Sequence, residues 1–250
     1  MVYETDTPRA WPTGDWPITV ARGEDEDARE AGLMEHIGLV RWTPARMRAR
    51  LSDVIGVYKA AFLDVHEADP ARAAIERTMH ARRHAERRDL RAVAALLPDD
   101  RLIGFAYALP GQKGQWWHDV VCDALQPEDA AVWLSDCLEI VEFHVLPEFQ
   151  GRGVGRELIR ELLREAPQRT AALSALELPD SRARRLYASE GFVPLLSNFQ
   201  FPGSWVEYAV LGKHLTATEP AQGEQPRSRG TAEPPTGRAQ EANGRRVRAV

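Results

Sequence analysis

The sequence predicts a mixed α/β fold, and three observations carry that expectation. Short runs rich in β-branched and aromatic residues alternate with segments of helical periodicity. Two strand signals, LRAVAALL (90–97) and RLIGFAYALP (101–110), are joined by Pro98-Asp99-Asp100, a hairpin turn. Further on, a strand, a helix and a strand follow one another across 137–178. Hairpins first and a strand–helix–strand unit later describe one mixed sheet.

The elements follow in order. IGLVRW (37–42) reads as a strand. From Pro44 to about Val65, Met47, Leu51, Val54, Ile55, Tyr58, Ala61 and Phe62 recur at helical spacing, with Thr43 as N-cap before the proline. Pro70 opens a second helix to about Arg87. After the hairpin, 111–134 reads as a Trp-rich loop with a helical portion. CLEIVEFHVL (137–146) is a strand, and beyond a glycine-rich turn a helix runs to about Glu165, burying Val154, Leu158, Ile159 and Leu162. TAALSALEL (170–178) is a strand. DSRARRLYASEGF (180–192) is a short helix with Asp180 as N-cap and Gly191 as its stop. FVPLL (192–196) and SWVEYAVLGK (204–213) close as strands.

Size and charge bound the rest. The 250 residues are 44% hydrophobic, enough for one well-buried core or at most two small ones. Residues 1–35 and 214–250 are polar and Pro/Gly-rich, so a flexible N-terminal extension and a disordered tail are expected. The tail's six Arg against four Glu leave the remainder at −7 where the whole chain stands at −5. An acidic body argues against a nucleic-acid partner. Cys122 and Cys137 build no disulfide framework, so a reduced, cytoplasmic setting fits. No apolar run approaches the roughly 20 residues that span a bilayer, and the N-terminus lacks the order of a signal peptide, so no membrane partner is expected.

The stretch VLPEFQGRGVGRELIR (145–160) places glycines at 151, 153 and 155 between a strand and a helix. Glycine weakens helices, but at a helix start it lets a phosphate approach bare N–H groups at the positive end of the helix dipole. Gly-x-Gly-x-x-Gly fails because residue 156 is Arg156, and the Lys-Ser/Thr of a P-loop is absent. An ordinary strand–helix turn is the competing reading.

With Gln150-x-x-Gly153-x-Gly155 after CLEIVEFHVL, and with SRARRLYASEGF further on, the sequence resembles the GNAT superfamily of acyl-CoA N-acyltransferases over roughly residues 36–213. The resemblance implies a mostly antiparallel twisted sheet flanked by helices, with a splayed fourth strand, and acetyl-CoA as co-substrate. It implies a cofactor site from Phe143, His144 and Val145 at the strand end, with Gln150, Gly151, Arg152, Gly153, Val154, Gly155 and Arg156 around the diphosphate. Tyr187 is implied as the acid that protonates the departing thiolate; a plain core aromatic is the alternative. Glu139 and Glu142 are the candidate bases, three apart and so expected on opposite faces, with Glu142 and His144 sharing one. Glu139 matches the position of the glutamate base in some histone-acetylating members, and a relay through water is the alternative to both. Where many members carry Asn, this chain has Asp180, read as a helix cap.

Other residues point elsewhere. His80 and His84 stand i,i+4 without a third ligand, so no metal site is expected, only a solvated basic helix. Trp116, Trp117 and Trp133 either wall an acceptor pocket or pack their insertion on the sheet. The expected activity is acetyl transfer to a primary amine of a small molecule or peptide by direct attack, since no Cys or Ser sits in a base-supported motif. A non-catalytic acyl-CoA sensor and a nucleotide-binding module are the alternatives. Oligomeric state is open, a homodimer among the options.

Overall fold

Seven strands form a single sheet in the order β1-β2-β3-β4-β5-β7-β6. They are β1 (Gly38–Trp42), β2 (Arg91–Leu96), β3 (Leu102–Pro110), β4 (Cys137–Val145), β5 (Thr170–Leu176), β6 (Val193–Gln200) and β7 (Glu207–His214). Every neighbouring pair is antiparallel except β4–β5, which is parallel. The fold is thus the mixed, mostly antiparallel sheet flanked by helices that the sequence implied. The computed structural model describes residues 37–63 and 70–215; the expected N-terminal extension, the end of the first predicted helix and nearly all of the tail lie outside them.

Helices cover both faces, which is why β2 and β3 read as nearly continuous apolar runs. On one face lie α6 (Val154–Leu163) and α7 (Arg182–Ser189). Val154, Leu158, Ile159 and Leu162 of α6 are buried against Ile103, Leu138 and Leu173, as the 3.6-residue spacing required. On the other face, α1 (Pro44–Ala49), α2 (Leu51–Tyr58) and α3 (Pro70–His84) pack over β1–β4 through Met47, Val54, Tyr58 and Ala81. The two helices of the insertion, α4 (Trp116–Ala124) and α5 (Pro127–Trp133), cover β5 and β7 on that same face.

Several boundaries differ from expectation. The first predicted helix is two, because Arg50 leaves helical geometry (φ −107°, ψ 19°). Its guanidinium bonds Asp53 in the next turn and Asp100 in the β2–β3 turn. The apolar spacing runs through this break, so periodicity does not reveal it. Lys59–Leu63 then forms a π turn. Thr43 caps α1 as expected, its side chain accepting from Arg46 N at 3.1 Å. Asp180 does not cap α7. It sits in the left-handed region (φ 55°), and Ser181, with extended ψ, accepts from Arg184 N instead. Gly191 does end that helix, at φ 84°. Edge strand β6 runs past FVPLL to Gln200, through Ser197, Asn198 and Gln200, which are exposed, and Phe199, which is partly buried.

Candidate active site

The parallel β4–β5 pairing lasts three residues: Cys137↔Thr170, Leu138↔Ala171 and Glu139↔Ala172. Beyond them β4 continues to Val145 and β5 to Leu176 without pairing to each other. The two strands splay, and Glu139 sits on the last rung before the gap. Facing edges of such a wedge carry main-chain groups without ladder partners, which need a ligand or water.

The glycine turn lies past the free end of β4. Leu146 N–H donates to Ile103 O at 2.8 Å, holding the strand end to β3. Gln150 Nε2 donates to Val145 O at 3.0 Å, so this side chain braces the turn. Gly151 and Gly153 adopt φ 76° and 86°, and a Cβ on either would meet nothing within 4 Å. Gly153 is the N-cap of α6, and no side chain caps that end. The first amides of α6 therefore face outward at the positive end of its dipole, beside open backbone. Gly155 serves a different purpose. A Cβ there would stand 3.2 Å from Leu186 Cδ2 and 3.4 Å from the Phe143 ring, so it lets α6 meet α7 and β4. Gly155→Val is expected to cost about 1–3 kcal/mol by overpacking, measured by urea unfolding. Arg156 ties α6 to α7, its Nε donating to Glu190 Oε1 at 3.1 Å. Arg152 is exposed.

The two carboxylates are not on opposite faces. Register passes from Tyr107↔Glu142 to Ala108↔Ile140, leaving Val141 as the extra residue of a β-bulge. That insertion restores Glu139, Glu142 and His144 to the face covered by α2 and α3, while Phe143 and Val145 face α6. Glu142 is buried between Arg77 Nη1 at 2.9 Å and His144 Nε2 at 2.7 Å. Burial alone would raise its pKa, but the Arg77 charge and the His144 hydrogen bond outweigh that and lower it. Glu139 has no such partner among the described residues. Burial pushes its carboxyl up to about 7, with the Arg87 charge opposing and the Glu142 charge adding to the rise. His144 is enclosed by Tyr58 at 4.7 Å, Phe105 at 5.6 Å and Phe62 at 5.9 Å, so its side chain belongs to this buried network.

Tyr187, 5% exposed, meets Phe143 and Phe192 edge-on at 5.8 and 5.7 Å. Burial raises its pKa, and the Glu142 charge adds to the shift. The hydroxyl has no hydrogen-bond partner among the described residues. It is protonated at neutral pH and available to donate.

Sequence reasoning missed Arg77, although it is the one charged residue on α3's inward side, near Ala74 and Ala81. It also missed His84, which is not solvated: its Nδ1 lies 3.2 Å from the buried Tyr107 hydroxyl, and burial lowers its pKa to about 4. Among the described residues no cluster of three or more His, Cys, Asp or Glu could hold a metal. Of the insertion's tryptophans, Trp117 donates to Ser174 Oγ at 2.7 Å and Trp133 stacks on His214 at 4.3 Å, so both pack the insertion down. Trp116 is 59% exposed.

A splayed parallel pair, a bare glycine-rich helix start and a carboxylate at the fork define a class of acyl-transferring proteins. The chain matches the model of the acetyltransferase (GNAT) family over residues 56–192 and belongs to that family. It is 34% identical over 204 residues to a GCN5-like protein acetyltransferase, Rv2170, of Mycobacterium tuberculosis, covering 72% of this chain and 98% of the relative. Its fold is similar to that of PaiA N-acetyltransferase from Thermoplasma acidophilum in complex with coenzyme A (TM-score 0.50, 13% identity, 71% of this chain and 98% of that one). It is equally similar to Arabidopsis thaliana NAA60 in complex with a bisubstrate analogue (TM-score 0.50, 18% identity, 73% and 99%). The chain is a GNAT acetyltransferase, and acetyl-CoA is its acyl donor. No helix among the described residues is long and apolar enough to cross a membrane.

Proposed function

We propose that this chain acetylates primary amines, with the ε-amino group of a lysine in a peptide or protein as acceptor. The observation that carries the proposal is Glu139, a partly buried carboxyl with a pKa near 7 on the last paired rung of the wedge. A general base works best when its pKa lies near the working pH. Glu142, already neutralised by Arg77 and held low, is a poor base and a good structural anion. A protein acceptor is favoured by the mycobacterial relative, itself a protein acetyltransferase aligned over nearly its whole length.

Acetyl-CoA supplies an activated acyl group as a thioester. The open glycine backbone and uncapped amides suit its diphosphate: the N–H groups from Gly151 to Arg156 would hold it, with Gln150 bracing the turn. The unpaired β4 edge through Phe143, His144 and Val145 would orient the pantetheine arm by main-chain groups. Glu139 accepts the proton that the substrate ammonium must lose, and Tyr187 donates a proton to the leaving sulfur. Direct attack needs no acyl-enzyme. Burial raises the Cys137 thiol to about 12, which makes it inert as a nucleophile.

The test is thiol release from acetyl-CoA against lysine peptides, polyamines, amino acids and amine antibiotics. Release with lysine peptides, with the mass of one acetyl gained, is expected; turnover of small amines alone sinks the peptide assignment, and binding without any turnover leaves a sensor. Tyr187→Phe is expected to lower kcat at least tenfold, about 1.4 kcal/mol in the barrier; a smaller fall removes its acid role. Gly153→Val forces a β-branched residue to φ 86° and is expected to raise KM for acetyl-CoA about tenfold, read from initial rates.

A further inference from the structure

The basic segment of α3 serves none of the chemistry above. Its inner side is committed, through Arg77 to Glu142 and His84 to Tyr107. Its outer side carries an unusual stripe. Ile75 and Met79, one turn apart, are 66% and 59% exposed. Arg82 and Arg83 continue the same stripe by helical spacing, and Arg88 follows just past the helix end; all three are exposed. Arg72 is paired with Glu76 at 3.1 Å, whereas Arg82, Arg83 and Arg88 have no ion-pair partner among the described residues. Glu86 is the one other acid on the stripe. Among the described residues, a net basic patch of Arg82, Arg83 and Arg88 against Glu86, with Ile75 and Met79 at one end, thus lies on a protein whose residues 1–213 sum to −7.

We infer that this outer face of α3 docks an acidic segment of the acceptor protein, so that the preferred lysine is flanked by Asp or Glu and an apolar residue. The inference rests on the lysine-acetylating proposal and deepens it. Charge complementarity selects the occupant: arginines that follow two apolar side chains along the helix match a few carboxylates beside one apolar side chain. A nucleic acid or an anionic membrane presents many charges over a wide area and would meet the acidic remainder of the surface. Location fits the same occupant, because α3 packs on the sheet face that carries Glu139 and Glu142, so the acidic group is expected a few positions from the acetylated lysine.

The experiment pairs two labelled peptides that share one lysine and one leucine. One carries Asp/Glu a few positions away and the other Ser/Gln. Anisotropy gives Kd, and thiol release gives kcat/KM, for the full-length protein and for Arg82→Glu/Arg83→Glu. The acidic peptide is expected to bind and react about tenfold better with the native chain. Charge reversal is expected to abolish or invert that preference, and raising salt from 50 to 500 mM to shrink it, without changing KM for acetyl-CoA. Equal behaviour of the two peptides, or a preference that survives charge reversal, overturns the inference. So does an oligonucleotide or an anionic vesicle that displaces the acidic peptide at matched charge. Selective binding of the acidic peptide without turnover would sink the amine-acetylating proposal and leave the docking face standing.

Discussion

Replacing Glu139 by Gln is expected to lower kcat/KM by about 10²–10⁴ and at the same time to stabilise the fold above neutral pH. The first effect is the loss of a general base, for which that range is typical. The amide keeps the size of the side chain but accepts no proton from an ammonium. The second effect follows from linkage. Burial, chiefly, raises the Glu139 carboxyl to about 7 in the folded chain, above the ordinary carboxylate range of the unfolded one. The folded state therefore holds a proton that the unfolded state has already lost. Stability from this group is fully present below the unfolded value and disappears as pH rises through about 7. Glutamine removes that dependence, so the variant should melt above the parent at pH 8 and close to it at pH 4. Activity and stability moving in opposite directions is the signature of a strained functional group. A variant that loses activity together with melting temperature would instead mark Glu139 as a structural residue.

Replacing Arg77 by Met is expected to have the opposite character: a large loss of stability. Glu142 is 7% exposed and depends on that guanidinium for its charge. Breaking a buried pair from one side typically costs about 3–5 kcal/mol. Arg77 is 38% exposed, so screening places the expected loss nearer about 2–3 kcal/mol at pH 7.5 by urea unfolding. The pH dependence follows from what still surrounds Glu142. With Arg77 present, Glu142 is depressed and its contribution fades as pH falls. Without Arg77, burial dominates and drives the carboxyl to bind a proton. The penalty should therefore shrink toward pH 5. An unchanged denaturation midpoint at both pH values would show that the pair contributes nothing.

Local signals were legible in the sequence where local physics decides. The 3.6-residue stripe of Val154, Leu158, Ile159 and Leu162, the Thr43 cap and the Gly191 stop need only neighbours along the chain. The glycine block was found for a reason only partly right. Gly151 and Gly153 supply left-handed backbone, whereas Gly155 is small because Leu186 and Phe143 arrive from distant segments. Asp180 and Ser181 are both good caps by type, and only backbone geometry separates them. The same limit governed the site. Glu139 and Glu142 could be named, but alternation put them on opposite faces because the bulge at Val141 arises from register with β3. Their unequal acidity comes from Arg77 beside one and burial of the other, and that difference is set across three elements.

The most direct measurement is the pH dependence of kcat/KM for thiol release with a lysine peptide, run in parallel on the native chain and on Glu139→Gln. If the carboxyl at the fork of the β4–β5 wedge deprotonates the amine, the native profile bends down below pH about 7 and the variant profile is low and lacks that bend. The same bend in both proteins, or a variant as fast as the native chain, contradicts it.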